Sequence, residues 1–212
     1  MKSKYFSEFL GTAFLFCIVV GSGIMGQNLS SNDSLTLLAN TLATVFALYF
    51  LITIFGDHSS HFNPVVSMVM LVRKEISTQV CTIFIILQIS GAILGVMLAN
   101  YIFELDPVLF SEKPRSGTHL FVSEILATFG LLMVILLSAK EKVAVTVAAY
   151  IGAAYWFTSS TSFANPAGTI GRSFSNTFAG ISTNDILHFC VAQIIGAFLA
   201  LIVYRTFFES QK

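Results

Sequence analysis

Charge is scarce in this chain: Asp, Glu, Lys and Arg make up 10% of its 212 residues, against about 25% in an ordinary soluble domain. So few polar groups could not cover the surface of a water-soluble globule. Cysteine is scarce too. Cys17, Cys81 and Cys190 stand singly in separate apolar stretches, a spacing that suits neither a disulfide framework nor a metal site and leaves them as apolar filler. No nucleophile–base pair, metal cluster or phosphate loop occurs, so neither an enzyme nor a cofactor is expected. The net charge of zero says nothing about partners; no nucleic-acid partner is expected.

What the chain has is apolar length. Hydrophobic residues make up 55% of it, with 21 Phe. Four stretches come close to the roughly 20 apolar residues that cross a bilayer: "FSEFLGTAFLFCIVVGSGIMG", "LTLLANTLATVFALYFLITIFG", "VCTIFIILQISGAILGVMLANYIF" and "ILHFCVAQIIGAFLALIVYRTFF". "HLFVSEILATFGLLMVILLSA" and "VAVTVAAYIGAAYWFTSSTSF" complete six. The partner this implies is the lipid bilayer. Lys2 and Lys4 precede a run too long for a signal core, with no cleavage site that stands out, so the first span is expected to be an uncleaved helix. With both ends cytoplasmic, Lys2, Lys4, Arg73, Lys74, Lys140, Lys142, Arg205 and Lys212 fall inside, and Lys113, Arg115 and Arg172 outside. That imbalance satisfies the positive-inside rule and requires an even number of crossings.

The chain is also duplicated. "SEFLGT" at 7–12 is echoed by "SEILAT" at 123–128, and "QISGAILGVMLANYIFE" at 88–104 by "QIIGAFLALIVYRTFFE" at 193–209. Between these landmarks each half carries one Asn-Pro pair, in "HFNPVVS" and "FANPAGT". Halves at about residues 1–105 and 119–212, joined by an external connector at 106–118, make one domain with an internal repeat. Each copy holds three spans, an odd number, so the second is inverted. Inverted repeats place their sites near the bilayer midplane on broken helices.

Asn is a strong N-cap and Pro is favoured at the first helical position. Asn63-Pro64-Val65 and Asn165-Pro166-Ala167 therefore read as helix starts. The helices that follow are expected to run about nine residues, roughly 14 Å, or half a membrane. Two N-termini meeting at the centre place about +0.5 charge each beside whatever passes. At about 4 Å and an effective dielectric near 20, each opposes a monovalent cation by roughly 2 kcal/mol. Neutral solutes escape that penalty. The Asn63 and Asn165 amides are expected free to donate, and the carbonyls of His61, Phe62, Phe163 and Ala164 to accept.

These features resemble the major intrinsic protein family, the aquaporins and aquaglyceroporins, over nearly the whole chain. The resemblance implies an all-α hourglass: six transmembrane helices and two re-entrant half-helices meeting at paired Asn-Pro-Ala motifs, here with Val65 in place of one alanine. It also implies a homotetramer passing small neutral solutes, with Glu8 and Glu124 accepting backbone N–H groups of the re-entrant loops. At the outer filter the family's usual arginine is replaced by Gly168. Its implied partners are Ser162, Ala153 and either Ala43, counted from Asn63, or Thr44, counted from Gly56. That small, uncharged ring implies a wide mouth. Some family members without the arginine are associated with arsenic-handling operons, which adds metalloid hydroxides and methylated arsenicals to water, glycerol and urea.

Other residues carry alternatives. Arg172, one helical turn beyond Gly168, either lines the external vestibule or snorkels to the interface. Tyr155 and Trp156 read either as interfacial anchors or, one turn from Ala153, as residues that touch the pore. His61 reads as a pore-flanking residue, and His58 with Asp57 as the candidate for pH gating. The rival functions are an ion-coupled transporter, which would need an acidic substrate site, and a non-conducting structural protein on the same scaffold.

Overall fold

The structure is a computed structural model and describes residues 2–209. Among the described residues are eight α-helices: α1 (Lys2–Leu29), α2 (Asp33–Phe55), α3 (Pro64–Val72), α4 (Thr78–Ile102), α5 (Thr118–Leu137), α6 (Val143–Phe157), α7 (Pro166–Arg172) and α8 (Ile186–Phe207). Their starts follow local chemistry. Asn32 caps α2 by accepting from Ser34 and Leu35 N–H, and Ser77 caps α4 through Val80 N–H. Five helical segments are long and apolar enough to cross a membrane. The remaining long helix, α6, has 15 residues and is extended by a 3-10 turn at Lys140–Lys142. The fold is all-α, with six spans and two half-helices. α5 begins at Thr118, one residue inside the expected connector.

The solvent pattern of a soluble bundle is reversed. Phe46, Ile54, Ile86, Leu187 and Ile202 face outward, whereas Glu8, Gln88, Glu124 and Gln193 are fully buried. Helices apolar all round with polar groups at the centre belong in lipid. The protein is a multi-pass membrane protein. Tracing the helices in order puts Lys2, Lys4, Arg73, Lys74, Lys140, Lys142 and Arg205 at the ends on one face. Lys113, Arg115 and Arg172 lie toward the other face, and Lys212 lies outside the described residues.

The two halves pack alike. α1 lies along α4, and α5 along α8, while α2 meets α6 across the halves. Glycine sets the first of these contacts. A Cβ at Gly91 would sit 2.5 Å from the Phe9 carbonyl oxygen, and one at Gly95 would overlap that of Ala13. Small residues four apart let backbones approach where lipid offers no hydrophobic drive for association. Each half-helix touches α4 and α8, so α3 and α7 hang between the two long pairs.

Candidate functional site at the half-helix junction

Both half-helices start as their sequences dictate. Asn63 Oδ1 accepts from Val65 N–H at 3.2 Å, and Asn165 Oδ1 from Ala167 and Gly168 N–H at 3.0 and 3.3 Å. α3 has the expected nine residues, but α7 ends after seven, at Arg172. Pro64, Val65, Pro166 and Ala167 are buried behind the asparagines. The extra methyls of Val65 pack in the core and do not face the cavity.

The residue before each asparagine takes a left-handed backbone, Phe62 at φ 49° and Ala164 at φ 48°. That conformation costs roughly 1–2 kcal/mol for a residue with a Cβ. What it achieves is visible in the hydrogen bonds. Phe62 N–H points back to Glu8 at 2.8 Å, and its carbonyl accepts from Asn165 Nδ2 at 2.8 Å. Ala164 N–H donates to Glu124 at 2.9 Å, and its carbonyl accepts from Asn63 Nδ2 at 2.7 Å. Each re-entrant loop is thus gripped by a buried carboxylate behind it and by the other loop's asparagine in front. Charge-assisted bonds, about 1.5–3 kcal/mol each, offset the strain.

This reciprocal lock corrects one expectation. The asparagine amides are not wholly free: one N–H of each is spent on the opposite loop, and the Phe62 and Ala164 carbonyls receive them. One N–H per asparagine remains, together with the His61 and Phe163 carbonyls, which receive no protein donor among the described residues.

Behind the loops the carboxylates are saturated. Glu8 accepts from Ser59 Oγ, His61 N–H, Phe62 N–H and Gln88 Nε2, at 2.5 to 2.8 Å. Glu124 accepts from Phe163 N–H, Ala164 N–H and Gln193 Nε2, at 2.7 to 2.9 Å. Gln88 also donates to Ser67 Oγ on α3, and Gln193 to Thr169 Oγ1 on α7. The glutamines were landmarks of the repeat, yet sequence reasoning assigned them no task. An amide matched across two apolar spans was the available signal.

A cavity of about 160 Å³ reaches both asparagines. Its wall runs from Met70 and Val143 to Tyr155 and Arg172, with the backbones of residues 60–63 and 162–165 along it. His61, Phe62, Phe163 and Ala164 all line it, and Arg172 is the one Asp, Glu, Lys or Arg that does. His58 and Asp57 lie exposed in the preceding loop, away from it.

The outer ring differs from the small, uncharged set expected. On α2 Thr44 lines the cavity and Ala43 does not. On α6 Ala153 is exposed on the opposite face, and Tyr155 follows the pore-touching of its two readings, 4% exposed and facing the lumen. Two residues along a helix are about 200° of rotation, so a count displaced by two selects the wrong side. The Tyr155 and Thr44 hydroxyls lie 3.1 Å apart. Ser162 Oγ beside them is buried without a protein partner among the described residues. Trp156 does face outward.

Gly168 is buried but forms no part of the cavity wall. Arg172 does: its side chain is 4% exposed, Nε donates to Ala179 O at 2.5 Å, and the guanidinium carbon stacks 3.4 Å from the Phe163 ring centre. A snorkelling side chain would reach the interface instead. Arg115, from the connector between the halves, sits 4.7 Å from the same ring and donates Nε to Gly180 O at 2.8 Å. Burial pulls its guanidinium down to about 10, so it stays charged at neutral pH.

A third cation, Lys113, donates to Phe178 O at 2.8 Å. Burial, then the charges of Arg115 and Arg172, push its ammonium down to about 8, with Asp33 acting the other way. The folded value lies below the ordinary 10.5, so the charge costs stability below about pH 8, and that cost is relieved as pH rises toward 10.5. The apparent melting temperature of the purified protein should therefore rise between about pH 8 and 10 more than that of Lys113→Met. Parallel curves would contradict the burial of this charge.

Comparison with known proteins agrees with this fold. The family model described as Major intrinsic protein matches residues 1–204. The aquaglyceroporin AqpS of Rhizobium meliloti (strain 1021) is 46% identical over 203 residues, covering 94% of this chain and 87% of that protein. The X-ray structure of the aquaglyceroporin from Plasmodium falciparum shares the fold with a TM-score of 0.74 at 19% identity, over 99% of this chain and 98% of the other. The chain belongs to the major intrinsic protein family, whose members are membrane channels for small solutes and not enzymes.

Proposed function

We propose that the protein is a passive pore for small neutral solutes, in the class of its aquaglyceroporin relative: water, glycerol-like polyols and urea. Metalloid hydroxides and methylated arsenicals are further candidates. It works as a homotetramer in the plasma membrane, with both chain ends cytoplasmic. The observation that carries this reading is the reciprocal lock of Asn63 on Ala164 and Asn165 on Phe62, 2.7 and 2.8 Å, inside one continuous cavity. It presents amide N–H groups and carbonyls to the lumen and no carboxylate. A neutral polar solute exchanges its hydration for those groups, whereas a cation meets two helix N-termini and Arg172.

The outer filter in this reading is Thr44, Tyr155, Ser162 and Arg172. Its arginine comes from the far end of α7 and not from the usual position at Gly168. The ion-coupled alternative would need a free membrane acid, and both candidates, Glu8 and Glu124, are filled by protein donors.

Light scattering from proteoliposomes challenged with water, glycerol, urea and arsenite side by side tests the proposal. Rates linear in the solute gradient and indifferent to Na⁺ or proton gradients are expected. Uptake against a gradient driven by an ion would make the protein a transporter, and no flux at all would leave it a structural scaffold.

A further inference from the structure

Gly168 stands where the family resemblance leads one to expect a large side chain, and a glycine there would ordinarily leave a gap. The gap is filled from another helix. A Cβ built on Gly168 would overlap the Phe16 ring, at its Cζ and Cε1 atoms. Phe16 is 5% exposed and lines the cavity, whereas Gly168 does not. The phenyl ring from the middle of α1 therefore lies flush on the first turn of α7, between its backbone and the lumen. No residue but glycine at position 168 lets it lie so deep, because a Cβ there drives the ring outward into the passage.

We propose that Phe16 is the residue that sets the upper size of the solute, and that Gly168 is its seat. The two form one steric element. Even seated this deep the ring narrows the cavity it shares with Thr44 and Tyr155 against bulky solutes, and lifted from its seat it would narrow that cavity further. This rests on the channel reading and adds a determinant from α1, which none of the counted filter positions includes. Other residues of α1 on the same wall, Leu15 and Val19, lie beside the ring and cannot replace its reach to α7.

The test compares the ratio of polyol flux to water flux in proteoliposomes, using glycerol, the five-carbon xylitol and the six-carbon sorbitol as probes. Four proteins are needed: wild type, Phe16→Ala, Gly168→Ala and the double variant, each first shown to elute as one symmetric species. Removing the ring takes away the side chain that bulky solutes would have to displace, so Phe16→Ala should raise the xylitol-to-water and sorbitol-to-water ratios about tenfold or more. Gly168→Ala should lower the glycerol-to-water ratio several-fold by pushing the ring into the lumen. In the double variant the added methyl has room, and the ratios should return to those of Phe16→Ala. Should Phe16→Ala not assemble, Phe16→Leu takes its place, with a smaller rise expected.

Ratios in Phe16→Ala within twofold of wild type would overturn the proposal. So would an equal loss from Gly168→Ala in both backgrounds, which would mean that the glycine serves helix packing alone. A wild-type protein that passes neither water nor polyol would instead overturn the channel reading on which the proposal rests.

Discussion

Glu124→Ala should yield no working channel and little folded protein. The carboxylate is fully buried and accepts from Phe163 N–H, Ala164 N–H and Gln193 Nε2. Removing it strands three donors in a region where water does not reach them. At about 1–3 kcal/mol for each unsatisfied group, the loss is about 3–9 kcal/mol, comparable with the whole stability of a typical protein, about 5–15 kcal/mol. Glu8→Ala strands four donors and should be at least as severe. Glu124→Gln keeps the shape and one acceptor oxygen, but turns an amide N–H₂ toward donors, so it should fall between. The checks are membrane yield, elution as a single species and solute flux. Wild-type yield and flux in Glu124→Ala would mean that the carboxylate does not hold the loop.

The second large effect is on ions. Arg172→Met preserves much of the stacking bulk on Phe163 but removes the one full charge on the cavity wall. A unit charge opposes a passing cation by about 4 kcal/mol at 4 Å and about 2 kcal/mol at 8 Å for an effective dielectric near 20. Even the smaller figure is about thirtyfold in cation passage. The midplane would still resist through the N-termini of α3 and α7, although α7 is short and its dipole correspondingly small. Arg172→Met should therefore leak K⁺ about thirtyfold above wild type, while Arg172→Lys, which keeps a charge, should leak less. A K⁺ flux at the lipid baseline in Arg172→Met would place cation exclusion wholly at the asparagines.

Much of this site was legible because it is written twice. Asn63 with Asn165, and Glu8 with Glu124, fall at matched places in the two halves. Cap chemistry alone then orients the half-helices. The conformations of Phe62 and Ala164 were not legible, since nothing in an isolated Phe or Ala favours a positive φ; tertiary bonds on both sides of each residue impose it. For the same reason the lock, which pairs residues about a hundred positions apart, could not be read locally.

The outer ring failed differently. Ala43 and Ala153 came from counting back from an asparagine through a loop, and a slip of one residue turns a helix by about 100°. Thr44, reached by the alternative count, is the residue on the cavity wall. Phe16 left no signal at all. The stretch of α1 around Phe16, Ala13–Val20, is apolar on every side, so no periodic change in polarity there marks which side meets the lumen. Arg172 was reachable from its spacing of four from Gly168, but its fixation over Phe163 needed the fold.

The account's central claim is that one narrow wet passage admits neutral solutes and refuses ions. Glycerol flux and membrane current should be recorded from the same reconstituted bilayers under a glycerol gradient in symmetric salt. A glycerol flux proportional to the gradient, with current indistinguishable from protein-free lipid, is what the paired half-helices and Arg172 predict. Current rising in step with glycerol flux, or a flux that vanishes when ion gradients are abolished, would contradict them.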